Sequence, residues 1–298
     1  MRLINLLLLA LLITISAFGQ QHKLATVSDH YKMLQQFGDE PNQQRAWMDT
    51  IQYPPVEYSG SITFLLVKPY YLSDAQVKTL SEGVKFPANS SDQVRKELDY
   101  MLDLQTKRTP EQIKRVTFLG DIGYWPQINL VPTHLLYKQN LKDLFFEGRE
   151  VIGENMTAEN FPKVAKLLQG VMQDMRIMEF TIKYTLLRPR PYHLEPKLEP
   201  LTKINSPSFA SGHTLWAFIQ AFTWSEVIPE KSNAFIALAE EIRRSREIMG
   251  IHFPSDNEAS RQVAYKMLQY FFKNETFLKD LKEARAEWSA NTAKTTGK

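Results

Sequence analysis

The chain has no cysteine among its 298 residues. Disulfides, thiol nucleophiles and cysteine-ligated zinc are therefore excluded, and the fold must hold through its core alone. Long apolar runs are also missing beyond the N-terminus. The longest candidate, Ile62 to Val67, suffices only for a short strand or a core segment. Nor is charge of one sign in excess: 36 Lys and Arg against 33 Asp and Glu leave a formal net charge of +3. That balance gives no footprint for nucleic acid or an anionic membrane, so any basic site must be local. With 43% hydrophobic and 23% charged residues the composition is that of an ordinary globular chain. No internal repeat is found.

The one concentrated apolar stretch is Leu3 to Ile15, behind Met1-Arg2 and ahead of Ala17-Phe18-Gly19. A short apolar run with small residues at the cleavage positions is the pattern of an export signal, and cleavage after Gly19 is expected. The run is shorter than the roughly 20 residues that span a bilayer, and a bacterial lipid anchor would need a cysteine at the cleavage site. The mature chain is thus expected to be periplasmic or secreted, without a stable membrane anchor. Residues 20–60 are polar and mixed, and read as an extension packed on the main domain or partly without fixed structure. Residues 61–290 read as the main domain and 291–298 as a polar tail.

Helical periodicity begins at Ser91, a plausible cap, with Val94, Leu98, Met101, Leu102 and Leu104 on three- and four-residue steps. Further helices are predicted over 158–187, 213–227, 232–249 and 256–273. Strand signals are few, so the expected class is all-α, a single-domain helical bundle. The segment Phe118 to Pro132, with Gly120, Gly123, Pro126 and Pro132, reads as an irregular loop without a functional reading.

Three segments carry chemistry. Lys183 and Arg190 lie at the exit of an apolar helix that Pro189 and Pro191 prevent from continuing. Arg188-Pro189 repeats the dipeptide Arg190-Pro191, and spacing within the chain does not choose between the two arginines. Ser211-Gly212-His213 opens an apolar helix, where free backbone N–H groups and the helix dipole favour an anion. Arg246, His252 and Asp256 fall in a helix, a loop and the next helix, with Gly250 and Pro254 breaking the chain between them. Each segment alone has a plain structural reading: a solvated charge pair, a common cap, or a surface His–Asp pair.

In order and spacing the three segments resemble the signature of the type 2 phosphatidic acid phosphatase and vanadium haloperoxidase superfamily. Among its soluble members the chain is most similar to bacterial class A non-specific acid phosphatases. The resemblance extends over roughly residues 62 to 288 and takes in Lys68-Pro69-Tyr70-Tyr71-Leu72, Phe86-Pro87 and Ser225-Glu226-Val227-Ile228-Pro229. The family usually has proline where this chain has Ala210, and its members commonly carry a disulfide; both departures suggest a diverged branch.

The resemblance implies an all-α fold and an acid phosphatase that uses neither metal nor other cofactor. It selects Arg190 over Arg188, and with Lys183, Arg246, the Ser211 hydroxyl and the Gly212 N–H as phosphate-binding groups it implies neutralisation of the equatorial oxygens. His252 would be the nucleophile, held by Asp256, and His213 the general acid and base. These roles want neutral His252 and protonated His213 in the free enzyme, hence a bell-shaped pH profile on the acidic side. Phosphate monoesters are the expected substrates, with phosphotransfer to alcohols as a side activity, vanadate as an inhibitor, and no nucleic-acid partner. A homo-oligomer stays open. The competing readings are a vanadium-dependent haloperoxidase, a lipid or polyprenyl-pyrophosphate phosphatase, and a non-catalytic phosphate-binding protein. The remaining histidines, His22, His30, His134 and His193, are read as structural or surface groups, His193 lying nearest the site.

Overall fold

The computed structural model describes residues 27–51 and 67–296; the expected export signal, His22 and most of the Ile62 to Val67 run lie outside them. Among the described residues there is no strand. The helices are α1 (Asp29–Leu34), α2 (Asp74–Glu82), α3 (Asp92–Thr106), α4 (Pro110–Asp121), α5 (Tyr137–Leu144) and α6 (Phe146–Val151), followed by α7 (Pro162–Leu186), α8 (Pro191–Leu194), α9 (Gly212–Val227), α10 (Ser232–Ile248), α11 (Pro254–Phe271) and α12 (Glu275–Thr296). No helix among the described residues is long and apolar enough to cross a membrane.

α9 is the axis of the bundle because its sequence is apolar on every side, and such a helix is stable only when enclosed. Trp216, Phe218, Phe222 and Trp224 are at most 1% exposed. At about 2–3 kcal/mol for each large side chain buried, their enclosure outweighs the modest helix propensity of aromatic residues. α10, α11 and α7 pack around α9, and α12 packs against both α7 and α9. α7 runs longer than the rest, bordered by Pro162 at its first position and Leu187 at its end. Leu187 takes φ +50°, in the left-handed region that turns a chain out of a helix.

Boundaries differ from the periodicity in ways the local chemistry explains. α7 starts at Pro162, not at residue 158, since proline is favoured in the first helical turn. α11 likewise starts at Pro254, two residues before Asp256. The expected loop from Phe118 is a correction: residues 118–121 are the last turn of α4, which Thr109 and Gln112 start with reciprocal cap hydrogen bonds. Irregular chain begins only at Ile122. α12 continues into the expected polar tail, as far as Thr296.

The described part of the extension packs on α3. Ser90 donates from its backbone N–H to Asp49 (2.9 Å), Gln93 donates to the Tyr31 hydroxyl (3.1 Å), and Tyr31, Leu34 and Met48 are buried. The Tyr70-Tyr71-Leu72 segment is fixed to α7 by Asp174, which accepts the N–H groups of Tyr71 (2.9 Å) and Leu72 (2.7 Å). It approaches so closely that a Cβ on Gly170 would overlap both tyrosine rings. His30 lies against the Tyr100 ring and His134 is exposed, in agreement with their structural reading.

Candidate active site

One cavity of about 640 Å³ opens between α4, α7, α9 and the loops at residues 201–206 and 249–252. Its wall contains Lys183, Arg190, Gly212, His213, Arg246 and His252, drawn from three distant parts of the chain. α7 supplies Lys183 one turn before its end. The turn at Leu187 and the Pro191 start of α8 then bring Arg190 back over the same space. α10 supplies Arg246 from its last turn. Gly250, at φ +75°, lets the chain reverse there and present His252, a conformation that costs other residues about 1 kcal/mol or more.

His252 is 4% exposed and held at both ring nitrogens. Arg190 Nη1 lies 2.9 Å from Nε2, and Asp256 Oδ2 lies 3.2 Å from Nδ1. A guanidinium only donates, so Nε2 keeps its lone pair and Nδ1–H donates to the carboxylate. This is the tautomer a nucleophilic imidazole needs. Asp256 in turn accepts from Ser208 Oγ (2.5 Å) and the Phe253 N–H (3.1 Å) through Oδ2, and from Arg188 Nη1 (2.6 Å) through Oδ1. Burial alone would raise its pKa; Arg188 and the hydrogen bonds from His252 and Ser208 hold it well below the usual carboxylate range. The second arginine of the repeat thus has a place of its own, behind the site. It is fully buried, between the rings of Phe86 and Phe253.

Lys183, Arg190 and Arg246 line one cavity closely enough to act on one another. Burial, then Arg190, pushes the Lys183 ammonium down to about 7, and the same two causes push Arg246 down to about 9. Three like charges therefore share one low-dielectric pocket, and an entering oxyanion relieves their repulsion. The lysine carries a sign with it. A lowered Lys183 pKa makes the ligand-free fold lose stability as pH falls from the unfolded value of about 10.5 through about 7. In return, the charge that holds an oxyanion is present below that value. Inorganic phosphate at fixed concentration is expected to raise the Tm more near pH 6 than near pH 8.5, although phosphate itself is more highly charged at the higher pH. A Lys183→Met protein should lose most of that difference in the same thermal titration; an equal upshift at both pH values in the wild type would remove Lys183 from the binding set.

His213 is partly open to the cavity, and its Nε2 lies 3.1 Å from the Gly120 carbonyl. The carbonyl only accepts, so Nε2 carries a proton and Nδ1 is the nitrogen that titrates. Enclosure, then Arg246 and Arg176, pushes its pKa well below the ordinary value, and His252 is pushed down by burial and Arg190. Both imidazoles are thus biased toward the neutral form in the free enzyme, which opposes the expected protonation of His213 until an anion enters.

Two further differences concern side chains. The Ser211 hydroxyl donates to Thr214 Oγ1 (2.9 Å) and does not line the cavity. Ser206 lines it instead, accepting from Arg190 Nη2 at Oγ (3.1 Å) and from Arg190 Nε at its carbonyl (2.9 Å). His193 accepts the Arg190 N–H at Nδ1 (3.3 Å) and is not part of the wall. Sequence reading also missed Arg176 and Glu179, which lie on the Lys183 face of α7 at three- and four-residue steps and pair at 2.8 Å. Their three- and four-residue spacing back from Lys183 was the available signal. The supposed loop supplies Gly120, Ile122, Gly123 and Trp125, the last beneath the Arg176 guanidinium at 4.2 Å.

A curated non-specific acid phosphatase of Providencia stuartii is 26% identical over 193 residues, 60% of this chain and 78% of its own length. The fold is similar to that of a bacterial vanadium-dependent iodoperoxidase at TM-score 0.55 and 18% identity, with 83% of this chain covered. The chain spans 64% of the length of that peroxidase. The family model described as the PAP2 superfamily matches residues 164–277, which run from the start of α7 into α12 and include every cationic and histidine side chain of the cavity named above. The part of the chain that builds the cavity is thus the part that matches the PAP2 superfamily model, on an all-α fold similar to that of the peroxidase.

Proposed function

We propose that the protein is an exported, metal-independent phosphatase that hydrolyses phosphate monoesters through a phosphohistidine on His252. The observation that carries this reading is that Lys183, Arg190 and Arg246 share one cavity wall with His252, whose Nε2 keeps its lone pair because Nδ1 donates to Asp256. The relative named as an acid phosphatase supports the same reaction class.

The Nε2 lone pair of His252 forms a bond to phosphorus while the ester P–O bond breaks and its electrons leave with the alkoxide. His213, protonated as the substrate's charge enters, gives its proton to that oxygen. The three cations and the Gly212 N–H carry the charge on the equatorial oxygens. Ser211 joins them only if its hydroxyl turns from Thr214. Water then attacks the phosphohistidine, His213 takes its proton, the P–N bond breaks, and phosphate leaves with His252 restored. Acceptance of an alcohol in place of water would give phosphotransfer. The proposed unit is residues 61–290, with residues 1–19 removed on export.

Orthovanadate has the shape and charge of phosphate and fits the same set; held by Lys183, Arg190, Gly212, Arg246 and His252, it would supply peroxide activation. The two readings separate in one assay series. The mature protein is expected to hydrolyse p-nitrophenyl phosphate with a maximum on the acid side between about pH 4 and 8, unaffected by EDTA and inhibited by vanadate. Peroxide-dependent iodide oxidation by the vanadate-loaded protein, without ester hydrolysis, would replace this proposal with the peroxidase reading.

A further inference from the structure

Glu179 is an acid inside a site built for an anion. It is 5% exposed, lines the same cavity as Lys183, Arg190 and Gly212, and stands one turn before Lys183 on α7. Its carboxylate lies against the first residue of α9: a Cβ built on Gly212 would overlap Oε1 and Cδ and lie 2.8 Å from Oε2. α9 is 16 residues long, and its N-terminus is where backbone N–H groups and the helix dipole attract negative charge. Glu179 is kept there by Arg176, whose Nη1 donates to Oε2 at 2.8 Å. Arg176 is fixed in turn through Nε to the Tyr124 carbonyl at 3.0 Å and by the Trp125 ring.

We infer that Glu179 is the internal occupant of the phosphate cradle, which the phosphoryl group must displace and which helps expel phosphate after hydrolysis. The inference rests on the proposed phosphatase site and adds to it a residue that sets affinity for the anion. A carboxylate and a phosphate cannot share the space over Gly212, so the binding energy of the anion is reduced by whatever the carboxylate gains from the helix terminus and Lys183. Arg176 gives the displaced carboxylate a place to remain. The cost falls on product as well as substrate, so tight product binding, the common weakness of a cage with several cations, is moderated.

The test compares Kd for inorganic phosphate by calorimetry, with kcat and KM on p-nitrophenyl phosphate, at about pH 5.5, below the value of about 7 at which Lys183 takes up its proton. Glu179→Gln is expected to bind phosphate at least about tenfold more tightly and to show stronger product inhibition. Glu179→Asp, which keeps the charge but draws it back from Gly212 by one methylene, separates occupancy from simple charge. Tighter phosphate binding by the aspartate variant as well supports occupancy. Wild-type affinity in the aspartate variant would overturn the inference in favour of a through-space effect, and unchanged affinity in both variants would overturn it outright while ester hydrolysis by the wild type leaves the phosphatase reading standing. If the folded wild type neither binds phosphate nor hydrolyses the ester, both fall.

Discussion

Replacing His252 by Gln is expected to lower kcat on p-nitrophenyl phosphate by on the order of 10^4-fold or more, about 5.5 kcal/mol of barrier, with phosphate affinity changed only a few-fold. The asymmetry follows from the geometry. The cations and the α9 terminus bind the anion whether or not a nucleophile is present, and a glutamine can still accept from Arg190. What is lost is the lone pair at Nε2, held 2.9 Å from Arg190 Nη1 and ready to face phosphorus. Water attacking directly in the variant would lack both a base on that side and the leaving-group advantage of an imidazole. Rapid quench with labelled substrate provides the check: the wild type should yield an acid-labile, base-stable protein-bound phosphate within the first turnover, and the variant none. A variant that keeps more than about a tenth of the wild-type rate would show that His252 is not the nucleophile.

The legibility of this site in the sequence depended on where each residue's neighbours come from. Lys183, Arg246 and His252 were readable because helix ends, prolines and Gly250 mark them locally, whereas Arg190 was told from Arg188 only by the resemblance. α9 was readable as a helix from its apolar run behind Ser211-Gly212, and its central place follows from its being apolar on every side. Arg188 was not, since its partners Asp256 and Glu97 lie 68 and 91 positions away and only folding brings them within 2.6 and 3.9 Å. The same holds for Ser206, whose role is fixed by the return of Arg190 over its own loop. Residues 118–132 misled because glycine and proline speak for irregular chain, whereas the caps that carry α4 to Asp121 sit nearly ten residues upstream. The loop's position in the cavity wall is a tertiary fact with no local sign. Ser211 shows the reverse case: the motif marks the residue, yet the neighbouring Thr214 and Asn257 decide where its hydroxyl points.

Arg188 provides the second large effect. Its guanidinium is fully buried, donates to Asp256 Oδ1 (2.6 Å) and Ser255 Oγ (2.9 Å), and lies between two aromatic rings, the nearer at 3.9 Å. Exposed pairs such as Lys107–Asp103 are worth about 0.5 kcal/mol, because water does nearly as well. Inside the protein no water replaces the lost partner. Arg188→Met is therefore expected to cost about 3–5 kcal/mol of stability by leaving two carboxylates without their cation, measured by urea unfolding of the folded variant. The two acids will not respond alike. Burial already pushes Glu97 up to about 7, with Arg188 opposing, so it can take a proton and escape much of the penalty. Asp256, held low mainly by Arg188, will rise and loosen its grip on His252. The variant should thus lose about 10- to 100-fold in kcat, with the acid limb of its pH profile moved upward, while KM changes little. A purely structural arginine would lower stability and leave the acid limb in place; that result would confine Arg188 to the scaffold. Adding Glu97→Gln to Arg188→Met discriminates further, because it should return part of the stability and none of the rate, the charge behind His252 being the one that catalysis needs.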